Sequence, residues 1–296
     1  MNNIAQGQYS EPTAEEQWRQ FGELTCQKDY VDSLRGRNLD VYLLGERIDE
    51  PVDHPIVRPS INAMAASYQL AEDEPDLATA WSSITERRIN RFLHIPESPQ
   101  DLVQKNKMQR RMGQLTGTCF QRCAGLDTLS VLFSITFDID KKHGTAYHER
   151  YLAFLKKAQA RNLIVGAGMT DPKGDRSKRP SDQSDPDLFM HVTRRTDKGL
   201  YVKGAKAHMT GGLNSHWICV MPTMNMLESD KDYAVIGMIP ATAPGLTYIY
   251  GRQSCDTRAL EVGDIDKGNA QYGGQETLVI FDDVLSLCVL CLVGSI

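Results

Sequence analysis

The sequence has no run of eighteen apolar residues, so no segment of it is long enough to cross a bilayer as a helix. It also lacks a block of like charge. Its 33 Lys and Arg and 38 Asp and Glu are interspersed and sum to −5, which argues against sequence-independent nucleic-acid binding. The opening MNNIAQGQYSEPTAEEQW has neither the cationic start nor the apolar run of a secretory signal. Seven cysteines, an odd number beside no export signal, read as cytoplasmic thiols or metal ligands rather than a disulfide framework. No G-x-G-x-x-G, Walker A or G-x-S-x-G motif is present, which leaves Rossmann, P-loop and serine-hydrolase readings without support. No internal repeat is visible either. What remains is the balance of a soluble globular protein, 41% apolar and 24% charged, with 296 residues enough for two domains.

The texture of the first half is helical. Leu34–Ile48 carries an apolar stripe, and Asp76 is an N-cap candidate for the helix LATAWSSITERRINRFLHI. Ser98 and Asp101 resemble a capping box opening DLVQKNKMQRRMGQL, and Arg150–Arg161 has helical spacing with a basic last turn. The apolar stretch from Gly125 to Phe137 fits a buried helix or a buried strand. After Asn162 the texture changes. LIVGAGM, LFMHVTRR, GLYVKGAKAHMT, HWICVMPT, YAVIGMIPA, LTYIYG and ETLVIFDDV are short β-type segments separated by turn residues. They predict an antiparallel sheet or small barrel. The expected fold class is α+β, with an N-terminal helical domain over 1–161 and a β-barrel or sheet domain over 162–284. Residues 285–296, from LSLCVLCLVGSI, form an uncharged tail that would be an aggregation hazard if exposed.

Three segments could carry chemistry. Cys119 and Cys123 stand four apart in GTCFQRCAG. On a helix this places both sulfurs on one face, as one edge of a metal or iron–sulfur centre or as two small buried residues. Cys288 and Cys291 form a C-x-x-C inside the tail, whereas Cys26, Cys219 and Cys255 are scattered and read as structural. TDPKGDRSKRP supplies Gly174, hydroxyls at Thr170 and Ser177, and Lys173, Arg176, Lys178 and Arg179. It fits a pyrophosphate-binding loop or a solvated turn. In GLYVKGAKAHMTGG, Thr210 precedes Gly211-Gly212, where backbone can approach a planar ring and a hydroxyl can reach a flavin nitrogen. His208 and His216 are either ligands or bases, or satisfied structural histidines.

Taken together, GQLTGTCFQRCAGLD, MTDPKGDRSKRPSDQSDPD and YVKGAKAHMTGG resemble the 4-hydroxybutyryl-CoA dehydratase / vinylacetyl-CoA isomerase family. That family lies in the wider group of 4-hydroxyphenylacetate 3-monooxygenases and has an acyl-CoA dehydrogenase-like fold. The resemblance runs from the N-terminal helices to about Val284. It implies an FAD and a [4Fe–4S] cluster close together, with Cys119 and Cys123 as two cluster ligands and Gln121 facing the active site. It further implies that Met169, Thr170, Asp171, Pro172, Lys173, Gly174, Asp175 and Arg176 line FAD, as do His208, Met209 and Thr210. Glu276 would match an active-site carboxylate. The monooxygenase branch, the alternative reading, has other residues where this chain has its cysteine pair.

The resemblance implies dehydration of 4-hydroxybutyryl-CoA to crotonyl-CoA and isomerisation of vinylacetyl-CoA. The hydrogen at C3 is acidified by no adjacent carbonyl, so a general base alone, worth roughly 10²–10⁴-fold, does not suffice. An acyl-CoA substrate, a homotetramer and a cytoplasmic setting are implied, with neither nucleic acid nor membrane as partner. The family draws its other two cluster ligands, a His and a Cys, from a C-terminal helical domain. This chain is therefore expected to be a truncated or frame-shifted, inactive product.

Overall fold

A computed structural model describes residues 18–197, 199–251 and 270–290, and of 287–290 the backbone alone. Cys255, Cys291 and the tail beyond residue 290 lie outside the described residues, so the C-x-x-C expectation has no structural counterpart. The helices are α1 (Gln27–Ser33), α2 (Arg58–Asp73), the single turn α3 (Pro75–Ala78), α4 (Pro99–Thr116), α5 (Cys123–His143) and α6 (Tyr147–Arg161). The strands are β1 (Asp40–Leu43), β2 (Glu46–Arg47), β3 (Thr79–Ser82), β4 (Arg87–Asn90), β5 (Val165–Gly168), β6 (His191–Thr196), β7 (Gly199–Thr210), β8 (Trp217–Val220), β9 (Ile236–Pro240), β10 (Leu246–Tyr250) and β11 (Glu276–Leu290).

Local chemistry accounts for the helices that frame the site. Ser98 caps α4 by accepting the Asp101 N–H at 3.2 Å, Pro99 occupies the first turn, and Gly117 ends the helix in the left-handed region. The ambiguous stretch after Cys123 is helical. It buries Gly125, Leu126, Leu129, Leu132 and Thr136 at helical spacing and ends on Lys141, Lys142 and His143, cations that suit a helix C-terminus. Helix α6 ends at Arg161, as its basic last turn implied, with Asn162 as a left-handed cap.

Two helical expectations fail. Leu34–Ile48 holds the antiparallel β1–β2 pair, and the stretch after Asp76 gives one helical turn followed by the β3–β4 hairpin. Among the described residues nine strands form one sheet, in the order β2-β1-β10-β11-β9-β8-β5, with β7 on β11 and β6 on β7. All seven β-type segments after Asn162 are strands in it. The expected all-antiparallel pattern needs correction, because β1 runs parallel to β10 and β5 parallel to β8. The barrel form is also corrected: β2, β5 and β6 each pair on one side only, so the described strands leave the sheet open. β11 continues through Leu285–Leu290, pairing with β7 up to Ser286 and with β9 at Leu287 and Leu290. The principal core draws on both halves of the chain, from Trp18, Tyr30 and Met64 to Trp217, Tyr248 and Phe281.

Candidate active site

The cysteine pair does not share a helix. Helix α4 stops at Gly117, Cys119 lies in the connecting loop, and Cys123 is the first residue of α5. Gln121, with a left-handed φ of 63°, folds the loop back so that the Cys119 thiol meets the Cys123 sulfur. Helix α5 has no side-chain N-cap, which leaves its first N–H groups for that sulfur. The neighbouring Cys119 side chain, helped by backbone N–H of Ala124 and Cys123, lowers the Cys123 thiol. Cys119, which is exposed, moves the other way, raised by the Cys123 side chain beside it and by the negative charge of Glu276.

Glu276 opens β11 directly across from Thr210 at the end of β7. The Thr210 hydroxyl donates to Glu276 Oε1 at 2.7 Å. Burial raises the Glu276 carboxyl, opposed by this hydrogen bond and by the charge of His208. The approach to Glu276 packs against the cysteine loop: a Cβ at Gly274 would touch Cys119 Cβ at 3.6 Å and Thr118 Oγ1 at 3.8 Å. Just upstream of Thr210, Thr277 faces Met209 but Val279 faces Lys206, so β7 carries one extra residue there. His208 takes a left-handed φ of 51° in this bulge and is exposed. Met209 points inward, wholly buried, and offers only backbone to any ligand.

Gln121 is a buried brace. Its Nε2 donates to Ser60 O at 2.9 Å and Gly273 O at 3.2 Å, and its Oε1 accepts from Asn214 Nδ2 at 3.2 Å. The amide thereby ties the cysteine loop to α2, to the run into Glu276 and to the turn after Thr210. Gly211 was expected to approach a planar ring. At its φ of 69°, the space a Cβ would need is taken by Met64 Cε at 2.3 Å and Gln121 Cβ at 3.3 Å.

The loop from Met169 to Arg176 is divided in role. Met169, Lys173, Gly174, Asp175 and Arg176 are exposed, and Thr170 and Pro172 are half-buried. Asp171 is buried and held by Lys206 Nζ and by Thr223 Oγ1 at 3.2 Å, so its carboxylate is committed within the protein. Asp175 closes a turn by accepting Ser177 N–H at 3.0 Å, and Gln183 accepts the Asp175 N–H at 3.0 Å. Arg179, a candidate phosphate contact, instead pairs with the buried Asp230, which also accepts the Ser181 N–H and hydroxyl. Lys173, Arg176 and Lys178 remain as exposed cations along the loop. His216 is the bland case: buried, accepting Ile164 N–H at Nδ1 and facing Ser33 Oγ, each at 2.9 Å.

Sequence reasoning missed Lys206 and Asn214. The signal for Lys206 was its parity, since Leu200, Val202 and Gly204 turn inward on β7 and a lysine continues that face. Two clefts open elsewhere, of about 480 Å³ beside Cys26, Arg58 and Glu72, and about 730 Å³ beside Phe21, Arg37 and Pro244. Neither is lined by Cys119, Cys123, Thr210 or Glu276.

Residues 26–285 match the 4-hydroxyphenylacetate 3-hydroxylase N-terminal family. The chain is 52% identical over 264 residues to a 4-hydroxybutyryl-CoA dehydratase/vinylacetyl-CoA-Δ-isomerase of Clostridium aminobutyricum, covering 88% of this chain and 54% of that one. It superposes on an oxygen-tolerant archaeal 4-hydroxybutyryl-CoA dehydratase from N. maritimus with a TM-score of 0.85 and 61% identity, over 89% of this chain and 53% of that one. The FAD complex of a 4-hydroxyphenylacetate 3-monooxygenase oxygenase component, at 21% identity and a TM-score of 0.72 over 92% and 56%, shares the fold. The chain spans about half the length of the curated relatives it matches. It belongs to the 4-hydroxyphenylacetate 3-hydroxylase N-terminal family and, within that group, stands close to the 4-hydroxybutyryl-CoA dehydratase/vinylacetyl-CoA isomerases.

Proposed function

We propose that this chain carries the flavin- and thiolate-bearing half of a 4-hydroxybutyryl-CoA dehydratase/vinylacetyl-CoA isomerase, with 1–161 as an N-terminal domain that holds the helices and lends β1 and β2 to the sheet, and 162–284 as its β domain. The observation that carries the reading is the placement of Cys119 in the loop before α5 and Cys123 at its first residue, with that loop packed against the run into Glu276. The donor set suits a [4Fe–4S] cluster as two of its thiolate ligands. Among the described residues no group of three or more His, Cys, Asp and Glu gathers to hold a metal. FAD suits the exposed cations Lys173, Arg176 and Lys178 and the hydroxyl of Thr210. Bound there, the flavin supplies one-electron exchange and the cluster a Lewis-acid site for a hydroxyl.

The chain's own contribution is proton handling and placement. The partly desolvated Glu276 carboxyl keeps its proton to higher pH than a free glutamate, which suits a group that takes and returns a substrate proton. Thr210 fixes Oε1 of that carboxylate at 2.7 Å. An acyl-CoA substrate, a homotetramer and a cytoplasmic setting belong to the same reading, which the four free thiols at Cys26, Cys119, Cys123 and Cys219 support.

The test is anaerobic reconstitution of the chain with iron, sulfide and FAD, alone and co-expressed with the remaining half of the Clostridium relative. Crotonyl-CoA formation from 4-hydroxybutyryl-CoA is expected on pairing, with loss of iron in Cys119→Ala and Cys123→Ala. Full iron content in Cys123→Ala would sink the ligand assignment. Hydroxylation of 4-hydroxyphenylacetate without dehydration would favour the monooxygenase reading instead.

A further inference from the structure

Lys206 is the most deeply buried cation on the sheet, with its side chain 2% exposed. Its ammonium has three donors, and each is used: Asp171 Oδ1, Met169 O at 3.2 Å and Met221 O at 2.8 Å. Asp171, 6% exposed, takes its second bond from Thr223 Oγ1. Burial lowers the lysine while Asp171 holds it charged. Three chain segments therefore meet at one nitrogen: the root of the 169–176 loop, the exit of β8 and strand β7.

The position along β7 matters as much as the contacts. Lys206 faces Val279 in the last regular step before the bulge, and the next two residues, Ala207 and His208, make the bulge itself. Ala207 N–H donates to Thr170 O at 2.8 Å, a second tie between the same two segments. Loop 169–176 and segment 208–210 are the two stretches that would line the flavin, and the Lys206–Asp171 pair is the charged link between them. A buried ion pair is costly in desolvation and often replaceable by apolar residues without loss of stability, so its place between two candidate cofactor segments calls for another account.

We infer that Lys206, through Asp171, is a positioning residue that sets the flavin loop and the bulge before Thr210 as one rigid unit. The inference rests on the proposed flavin site but concerns the ordering of the loop, which is measurable without flavin. Lys206 touches no ligand in this account; it acts through the backbone of Met169 and through Asp171.

The experiment compares the wild-type chain with Lys206→Met and with the double variant Lys206→Met/Asp171→Leu, co-expressed as for the activity test. The single variant strands a buried carboxylate and can fail to fold, so the double variant decides. Two readouts are taken: tryptic cleavage after Lys173, Arg176 and Lys178, and FAD affinity from flavin fluorescence with its visible circular dichroism. The inference expects a double variant with wild-type thermal midpoint, rapid cleavage in the loop, FAD binding weaker by about 10–100-fold and a changed flavin dichroism. A double variant that folds, resists trypsin in the loop and binds FAD as the wild type does would overturn it. If the wild-type complex binds no FAD, the flavin reading fails. The loop lock is then judged by cleavage alone: cleavage faster than wild type supports it, and an equal rate overturns it.

Discussion

Thr210 and Glu276 face each other as register partners of β7 and β11, and the threonine hydroxyl holds one carboxylate oxygen at 2.7 Å. The bond favours the charged form while burial favours the neutral one, and burial wins. A carboxyl raised in the fold stabilises the protein at low pH, and that contribution is lost as pH rises through its folded value. Thr210→Val removes the restraining bond and keeps the volume. Its Glu276 midpoint, read by carboxyl-carbon NMR, should move to higher pH than in the wild type. The variant should also lose more stability near neutrality than in acid. A midpoint that stays put or falls would show that the hydroxyl does not hold this carboxylate.

The lowered thiol of Cys123 beside Cys119 makes the second prediction. With Cys123 lowered to about 6, its thiolate predominates at neutral pH, whereas burial pushes Cys219 up to about 12. In the metal-free chain, iodoacetamide should label Cys123 rapidly and Cys219 only on unfolding. Cys119→Ala removes the S–H donor and should slow labelling of Cys123 at neutral pH, as peptide mass mapping would show.

Gly125 sits two residues into α5, where a Cβ would lie 1.8 Å from Val165 O and 2.9 Å from its carbonyl carbon. The clash is with backbone, so it cannot be relieved by turning a side chain. Gly125→Ala must lift the start of α5 off β5 and carry Cys123 with it, at a cost of about 1–3 kcal/mol or more. A lower thermal midpoint together with reduced iron uptake is expected. Gly113→Ala in α4, which meets nothing within 4 Å, should instead gain up to about 1 kcal/mol. Equal behaviour of the two variants would contradict the close packing of α5 on β5.

His216 sets a pH dependence at the acid side. Burial, with the charges of Arg37 and Arg122, holds its pKa well below the ordinary 6.5. Ser33 Oγ donates to Tyr30 O at 2.6 Å, so it accepts from Nε2–H, and Nδ1 accepts from Ile164. The neutral ring is therefore fully paired. Its contribution is present above the unfolded pKa and is lost as pH falls below about 6.5, at up to about 1.4 kcal/mol per pH unit. Urea unfolding at about pH 7.5 and about pH 5.5 should show a steep loss in the wild type and a shallower one in His216→Gln. Parallel slopes would assign the acid sensitivity to other groups.

Much of this was legible in the residues. The strands after Asn162 announced themselves by β-branched content and turn punctuation, and Ser98 and Arg161 marked helix ends by capping and dipole chemistry. Leu34–Ile48 misled because mixed charge imitated a helical stripe. Gly36 and Gly45 inside it were the breakers, and both take positive φ at turns. The β3–β4 hairpin gave less warning, since its turn places Glu86 at a φ of 52° with no glycine at all. At the site, the residue types were readable but their directions were not. Four-residue spacing suggested one helix for the cysteines, yet the left-handed Gln121 makes the pair across a loop. Asp171 and Arg179 looked like ligand contacts, and their partners Lys206 and Asp230 lie 35 and 51 residues away, beyond any local pattern.

β11 has a consequence for the order in which the protein is made. It is the strand that joins β10, and through it β1, to β7 and to the β5–β8–β9 group. β1 closes on β10 over more than two hundred residues of intervening chain, and that edge is attached to the rest only through the last strand described. Such pairing has high contact order, and the loop-closure entropy must be met before the contacts return it. On the ribosome α2, α4 and α5 emerge long before Glu276–Leu290, and β1, which can pair with its neighbour β2 at once, is joined through β10 to the rest of the sheet when β11 is made. The strand that sets Glu276 against the cysteine loop is also the one that joins the two parts of the sheet, so the site cannot assemble before β11 has been made.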